Sequence, residues 1–200
     1  NGMFPLRVGR RLEVRALERE GRVFELANTG LVDAALELLS HLDVGPRAPA
    51  VAGGWSAIEI LLSGPGDNEN VLAGDRLAVL VACSWPRAEL TDLAWSWKRQ
   101  ADDPLAAEIG SATSNRERAD AVAKTIASGH LLRFVSPSDM AALHRMEKVT
   151  AAPRRLLLDV RDHVSESFRR LYRQRNLVMH GGRTDAVALD AALRTAAPLV

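Results

Sequence analysis

Three residues suited to phosphate chemistry stand within six positions near the end of the chain, Arg175, Asn176 and His180 in "RNLVMHGG". Arginine presents a planar fork of donors that matches phosphate oxygens, and it does not deprotonate. Histidine moves protons because its ordinary pKa lies near neutrality. Asn176 and His180 are four apart, so on a helix they share a face, and an amide there can orient an imidazole. Arg175 and His180 are five apart, about 140° around an ideal helix. Arginine's length and the helix end can bring them together, or two copies of the helix can. The surroundings are basic: residues 154–183 hold eight arginines against three acids (Asp159, Asp162, Glu166). That local excess of +5 sits in a chain of formal net charge +1 and suits a phosphate-bearing partner. The plain alternative is a solvated helix face. With 23 arginines and 3 lysines in the chain, arginine is common throughout, so position is more informative than number.

These residues need a helix to hold them. Pro153 suits the first turn of a long helix over about 153–180. Leu157, Val160, Val164, Phe168, Leu171 and Val178 recur at intervals of three and four, with one gap of seven. Arg175 falls in that gap, on the apolar seam. An unpaired buried guanidinium is costly. It must face a partner carboxylate, a cleft or a subunit interface, unless it snorkels out from the helix end. Gly181 and Gly182 fit a helix C-terminus, and His180 in the last turn suits the negative end of the helix dipole. That reading accounts for "HGG" but not for the seam arginine or Asn176.

The rest of the chain reads as helices and loops. "NTGLVDAALELLSHL" places Leu31, Ala35, Leu38, Leu39 and Leu42 on one face, with Asn28 or Thr29 as N-cap. "VGPRAPAVAGG" (44–54) reads as a Pro/Gly-rich loop, "WSAIEILLS" (55–63) as a short helix, and "GPGDNEN" (64–70) as a second loop. A largely buried helix over 72–84 is followed by another opened by Pro86, on which Leu90, Leu93, Ala94 and Trp97 share a face. Residues 102–113 read as a break, 115–129 as a helix ending at Gly129, and "LLRFV" (131–135) as a connector. Ser138 is expected to cap the next helix, and a final helix begins near Asp185. No strand–turn pattern recurs, so the fold class is all-α.

Composition narrows the function classes. Cys83 is the single cysteine, which excludes an internal disulfide and Cys-cluster zinc sites and favours a reducing, cytoplasmic location. The longest apolar run, "LAVLVAC" (77–83), is too short to cross a bilayer, and residues 1–20 carry arginines in place of a secretory apolar region. No phosphate-binding glycine loop is present, and Asp159, Asp162 and His163 lack a metal-binding spacing. "GDNEN" lacks the terminal Glu of a calcium loop. No metal or cofactor is expected. His41, His130 and His144 have no arginine four to six residues upstream. Cys83 reads as core, and the tryptophans read mostly as packing rather than base-stacking residues. Residues 1–25 form a basic arm or the remnant of a preceding domain, and 26–200 form the helical domain. The chain opens at Asn1 and stops within "DAALRTAAPLV", so a piece of a longer protein is expected.

The stretch Arg175 to His180, with "YRQRN" before it and "HGG" after it, resembles the R-x4–6-H signature of the HEPN superfamily and is similar to its Apea-like branch. The specific likeness covers about residues 168–183. "WSAIEILLS", with Glu59 among apolar residues, is a weaker second match. The resemblance implies a HEPN-like helical bundle whose long helix ends in the motif. It implies a metal-independent endoribonuclease acting as a homodimer through the long helix, in toxin or antiviral defence systems, with RNA as substrate and a cognate antitoxin as a further partner; a missing N-terminal domain is the other partner expected, from the opening at Asn1. Some members of the superfamily are non-catalytic dimerisation or binding modules, which is the alternative here.

RNA carries its own nucleophile, the 2′-OH. Its cleavage needs a base, an acid for the leaving 5′-oxygen, and a cation against the phosphorane, and it yields a 2′,3′-cyclic phosphate. On this reading His180 transfers protons, Arg175 stabilises the phosphate and Asn176 orients the site. A polar residue after the arginine marks active members of the family, and Asn176 fits. Arg173 also has the spacing to His180, but Arg175 is preferred for its seam position and the asparagine that follows it. Arg169, Arg170, Arg173 and Arg183 are then phosphate contacts. Tyr172 and Glu59 are supporting residues, with Glu59 a partner for Arg175 if it reaches the seam.

Overall fold

The computed structural model describes residues 30–40, 42, 46–67, 71–181 and 187–196. The basic arm, the expected caps Asn28 and Thr29, His41, residues 68–70 and Arg183 lie outside the described residues. Eight helices and no strand occur among the described residues, in the order α1 (Gly30–Leu39), α2 (Arg47–Leu62), α3 (Leu72–Gln100), α4 (Pro104–Ser111), α5 (Asn115–Ala127), α6 (Pro137–Ala151), α7 (Pro153–Gly181) and α8 (Val187–Ala196). None of these helices is long and apolar enough to cross a membrane. The all-α reading and the long helix ending at the motif are both present.

Helix α3 spans two cores. Its first half packs with α2, α7 and α8 around Trp55, Ile58, Phe168, Leu171 and Leu189. Its second half packs with α4, α5 and α6 around Leu93, Ile109, Val122 and Met146. The connector at 131–135 is non-helical. Leu132 and Phe134 are buried while Leu131, Arg133 and Val135 are exposed, the alternation of an extended chain. The Gln100 amide pins it, donating to the Arg133 carbonyl at 2.8 Å.

Several elements depart from the sequence expectations, each for a packing reason. Residues 47–54 are helical, not loop. Pro46 precedes the helix and Pro49 falls in its first turn, where a missing N–H costs nothing. Gly53 and Gly54 serve as close-approach points rather than turns. A Cβ on Gly53 would stand 2.7 Å from the Leu38 carbonyl oxygen of α1, and one on Gly54 3.2 Å from the Leu42 side chain. Pro86 does not start a helix but lies inside α3. Packing on both sides, in the two cores, holds the helix through the one residue that cannot donate to the preceding turn.

Residues 104–111 form α4, not a break. Asp103 caps it, accepting from the Ala106 N–H at 2.7 Å, and Pro104 follows as the first helical residue. The sixth helix begins at Pro137, with Ser136 rather than Ser138 at its cap position. Cys83 is exposed, because α3 turns Ala78 and Ala82 to the core and Val79, Leu80 and Cys83 outward. Leu31 is likewise exposed, and Ala35 alone of the α1 stripe is fully buried.

Adding a methyl to Gly53 meets backbone, which cannot swing aside. Gly53→Ala is expected to lower stability by about 1–3 kcal/mol. Gly30→Ala, whose methyl meets nothing within 4 Å, should leave it unchanged or raise it by up to about 1 kcal/mol. Paired urea titrations check this, and equal midpoints for the two variants would contradict the close approach of α1 and α2.

Candidate functional site

The middle of the stripe on α7 is buried as its spacing predicts, and Leu157 at its start is half-exposed. Val164, Phe168 and Leu171 are core, and Val160 and Val178 pack against them. Phe168 meets Trp55 of α2 across Gly74 of α3. A Cβ on Gly74 would stand 2.9 Å from the Trp55 ring and 3.2 Å from the Phe168 Cβ, so only glycine lets the three helices meet this closely. Trp55 is fully buried, and its ring centroid lies 4.9 Å from that of Tyr172.

Arg175 continues this stripe as a half-buried cation. Its Nη1 donates to the Asn176 side-chain oxygen at 3.1 Å, and its Nη2 lies 4.0 Å from Glu59 Oε2 of α2. Side-chain exposures of 23% and 27% for Arg175 and Glu59 make this the most shielded ion pair among the described residues. Of the readings open for a seam arginine, a partner carboxylate is present, at the outer limit of ion-pair distance. Asn176 differs from expectation: its oxygen is taken by Arg175, and no hydrogen bond joins it to His180 among the described residues.

Tyr172, Arg173, Arg175, Asn176, Leu177, His180 and Gly181 line one groove of about 600 Å³ at the C-terminal end of α7. Tyr172, Asn176 and His180 form an i, i+4, i+8 row along it, with a rise of about 6 Å per step. His180 is exposed at the end of this row. Leu177, not singled out from the sequence, and Gly181, read there only as a helix end, also line it, and helical spacing from Arg173 would have found both.

The remaining arginines are placed differently. Arg169 reaches back to α3, where its Nη2 donates to Asp75 Oδ2 at 2.9 Å, and Asp75 also accepts from the Ser165 hydroxyl. Partial burial pushes the Asp75 carboxyl up, but the Arg169 and Ser165 hydrogen bonds and the charges of Arg169 and Arg161 outweigh it and hold the pKa below the ordinary value. Arg170 lies 3.6 Å from Glu166 on its own helix. Arg170 and Arg173 also line a second groove between α7 and α8, together with Ala188, Ala191 and Ala192. The structure therefore brings Arg173, Arg175, Asn176, His180 and Tyr172 together, sets Glu59 behind Arg175, and leaves Arg169 and Arg170 out of the groove.

The other candidates are surface features. His163 Nδ1 lies 2.7 Å from the Asp159 backbone carbonyl, one turn back on an exposed face. No three His, Cys, Asp or Glu side chains come together as a metal site among the described residues.

Asp75 joins α3 to the helix that bears the site. Its stabilising effect is full above the ordinary carboxylate pKa of 3.8 and is lost as pH falls through the lower folded value. Asp75→Asn should cost about 1 kcal/mol at pH 7, with the difference from wild type shrinking as the pH drops below 3.8. Urea titrations across that range check it, and a difference that grows toward acid would contradict it. No protein-family model, no curated protein and no solved structure matches this chain.

Proposed function

We propose that this chain is an RNA-cleaving domain of the HEPN type, which uses the groove at the end of α7 and requires no metal ion. The observation that carries this reading is the convergence of Arg173, Arg175, Asn176 and His180 on one groove. A phosphodiester laid across it meets two guanidinium groups and an exposed imidazole. The 2′-oxygen attacks the adjacent phosphorus, the bond to the 5′-oxygen breaks, and His180 serves proton transfer at this centre. Arg175 faces the charge that develops on the phosphoryl oxygens. Glu59 and the Asn176 amide hold that guanidinium at its shielded position on the seam.

Among the described residues the groove takes its lining from α7 alone. A second copy of the same helix, laid against the first, supplies the opposite wall and a second Arg–His pair. This arrangement also answers the angular separation of Arg175 and His180 on a single helix. The active species in this proposal is therefore a homodimer.

In EDTA, wild-type protein is expected to cut RNA and to leave DNA of the same sequence intact. His180→Ala should lower the cleavage rate by a hundredfold or more, about the effect of one general acid–base group, while RNA affinity changes only a few-fold. Gel-resolved single-turnover rates check this. Equal rates for wild type and His180→Ala would sink the catalytic assignment.

A further inference from the structure

We infer that the groove between α3 and α5 binds a small amphipathic phosphate ester, with its phosphate between Arg87 and Arg116 and its apolar body toward α6 and α7. This site is separate from the groove at the end of α7. Leu157, at its edge, precedes His180 by 23 residues, about 35 Å along the helix.

Two cavities of about 600 and 700 Å³ adjoin along α3 and share Arg87, Ser114 and Arg116. Volumes of this size are usual for small-molecule sites. The two lobes differ in chemistry. The first is polar, with the hydroxyls of Ser84 and Thr91 and the amide of Asn115 along its walls. The second is largely apolar, lined by Leu90 of α3, Ala119 and Ala123 of α5, Val149 of α6 and Leu157 of α7. Arg87 stands on one wall and Arg116 on the other, where the lobes meet.

The balance of committed charges makes the junction a place for an anion. Glu117 also borders the apolar lobe, but its carboxylate accepts from the Thr113 N–H at 2.6 Å and closes the capping box of α5. Asp120 is paired with Lys124 at 2.6 Å. Neither the Arg87 nor the Arg116 guanidinium has an ion pair or hydrogen bond among the described residues. Asp92 is the one uncommitted acid of the groove among those residues, and it lies five positions past Arg87 in the polar lobe. Two guanidinium groups therefore face one distant carboxylate. Their planar forks match phosphate oxygens, and a doubly charged phosphate answers two of them. The apolar lobe takes the body of the ligand out of water. A molecule with both parts gains from both lobes, and either part alone gains from one.

Cys83 supplies the readout. It is the only cysteine in the chain, it is exposed, and it lines the apolar lobe. Its alkylation by N-ethylmaleimide is followed by mass spectrometry on the whole chain. The probes are octyl phosphate, octanol and octyltrimethylammonium, each below its micelle concentration. Octyl phosphate should protect Cys83 saturably, and octanol and octyltrimethylammonium should need about tenfold more for the same protection. Arg87→Gln and Arg116→Gln should each raise the octyl phosphate concentration for half-protection by about three- to tenfold. Arg99→Gln, outside the groove, should leave it within about twofold of wild type. Vesicles of phosphatidic acid in phosphatidylcholine separate the sources of such a ligand. Protection by these vesicles as well assigns a lipid headgroup, and protection by octyl phosphate alone assigns a soluble ester. No protection by octyl phosphate, or equal protection by octanol, overturns the inference. Half-protection unmoved in both Arg87→Gln and Arg116→Gln also overturns it. The comparison of probes uses wild type alone, so it holds even where a variant fails to fold.

Discussion

The site depends on one junction, the meeting of Trp55, Gly74 and Phe168. Each belongs to a different helix, and each is followed closely by a residue of the groove or its support. One turn after Trp55 on α2 comes Glu59, which backs Arg175. Directly after Gly74 on α3 comes Asp75, which takes Arg169 and Ser165 of α7. One turn after Phe168 comes Tyr172, at the head of the row that leads to Asn176 and His180. The absence of a Cβ at Gly74 lets the Trp55 indole and the Phe168 Cβ both close on the backbone of α3. The polar groups of the site inherit their positions from this apolar contact.

Charge is distributed along α7 in the same graded way. Toward the middle of the helix Arg169 serves the fold by binding Asp75 of α3, and Arg170 lies near Glu166 on the exposed face of α7. Toward the C-terminus, Arg173 and Arg175 border the groove. The local excess of positive charge seen in the sequence thus divides into a part bound to carboxylates and a part that borders the groove. Arg175 belongs to both. It borders the groove, and Glu59 of α2 stands behind it at the outer limit of ion-pair distance.

Much of this was legible in the sequence, and what was not has a physical explanation. The stripe from Leu157 to Val178, with Arg175 set into it, is a property of helical periodicity, and the structure buries its middle, Val164, Phe168 and Leu171. The i, i+4 relation of Asn176 and His180 follows from the same period. The amide's actual partner did not, because spacing alone does not choose between a neighbouring guanidinium and an imidazole one turn on. Gly53 and Gly54 read as a loop because local chemistry cannot distinguish a turn glycine from one that admits a neighbouring backbone. Pro86 read as a helix start because its missing N–H is local, whereas the two cores that carry α3 past it are assembled from distant segments. Cys83 read as core because an apolar run gives no phase, and tertiary packing decided which of its faces turned outward.

The central claim is that the groove on α7 cleaves RNA by using the substrate's own 2′-hydroxyl. The most direct measurement is the mass of the fragment ends released from a defined RNA in the presence of EDTA. A 2′,3′-cyclic phosphate is expected on one fragment and a 5′-hydroxyl on the other, with no oxygen incorporated from water in the cleavage step. Fragments ending in a 3′-hydroxyl and a 5′-phosphate would contradict it, as would RNA left intact.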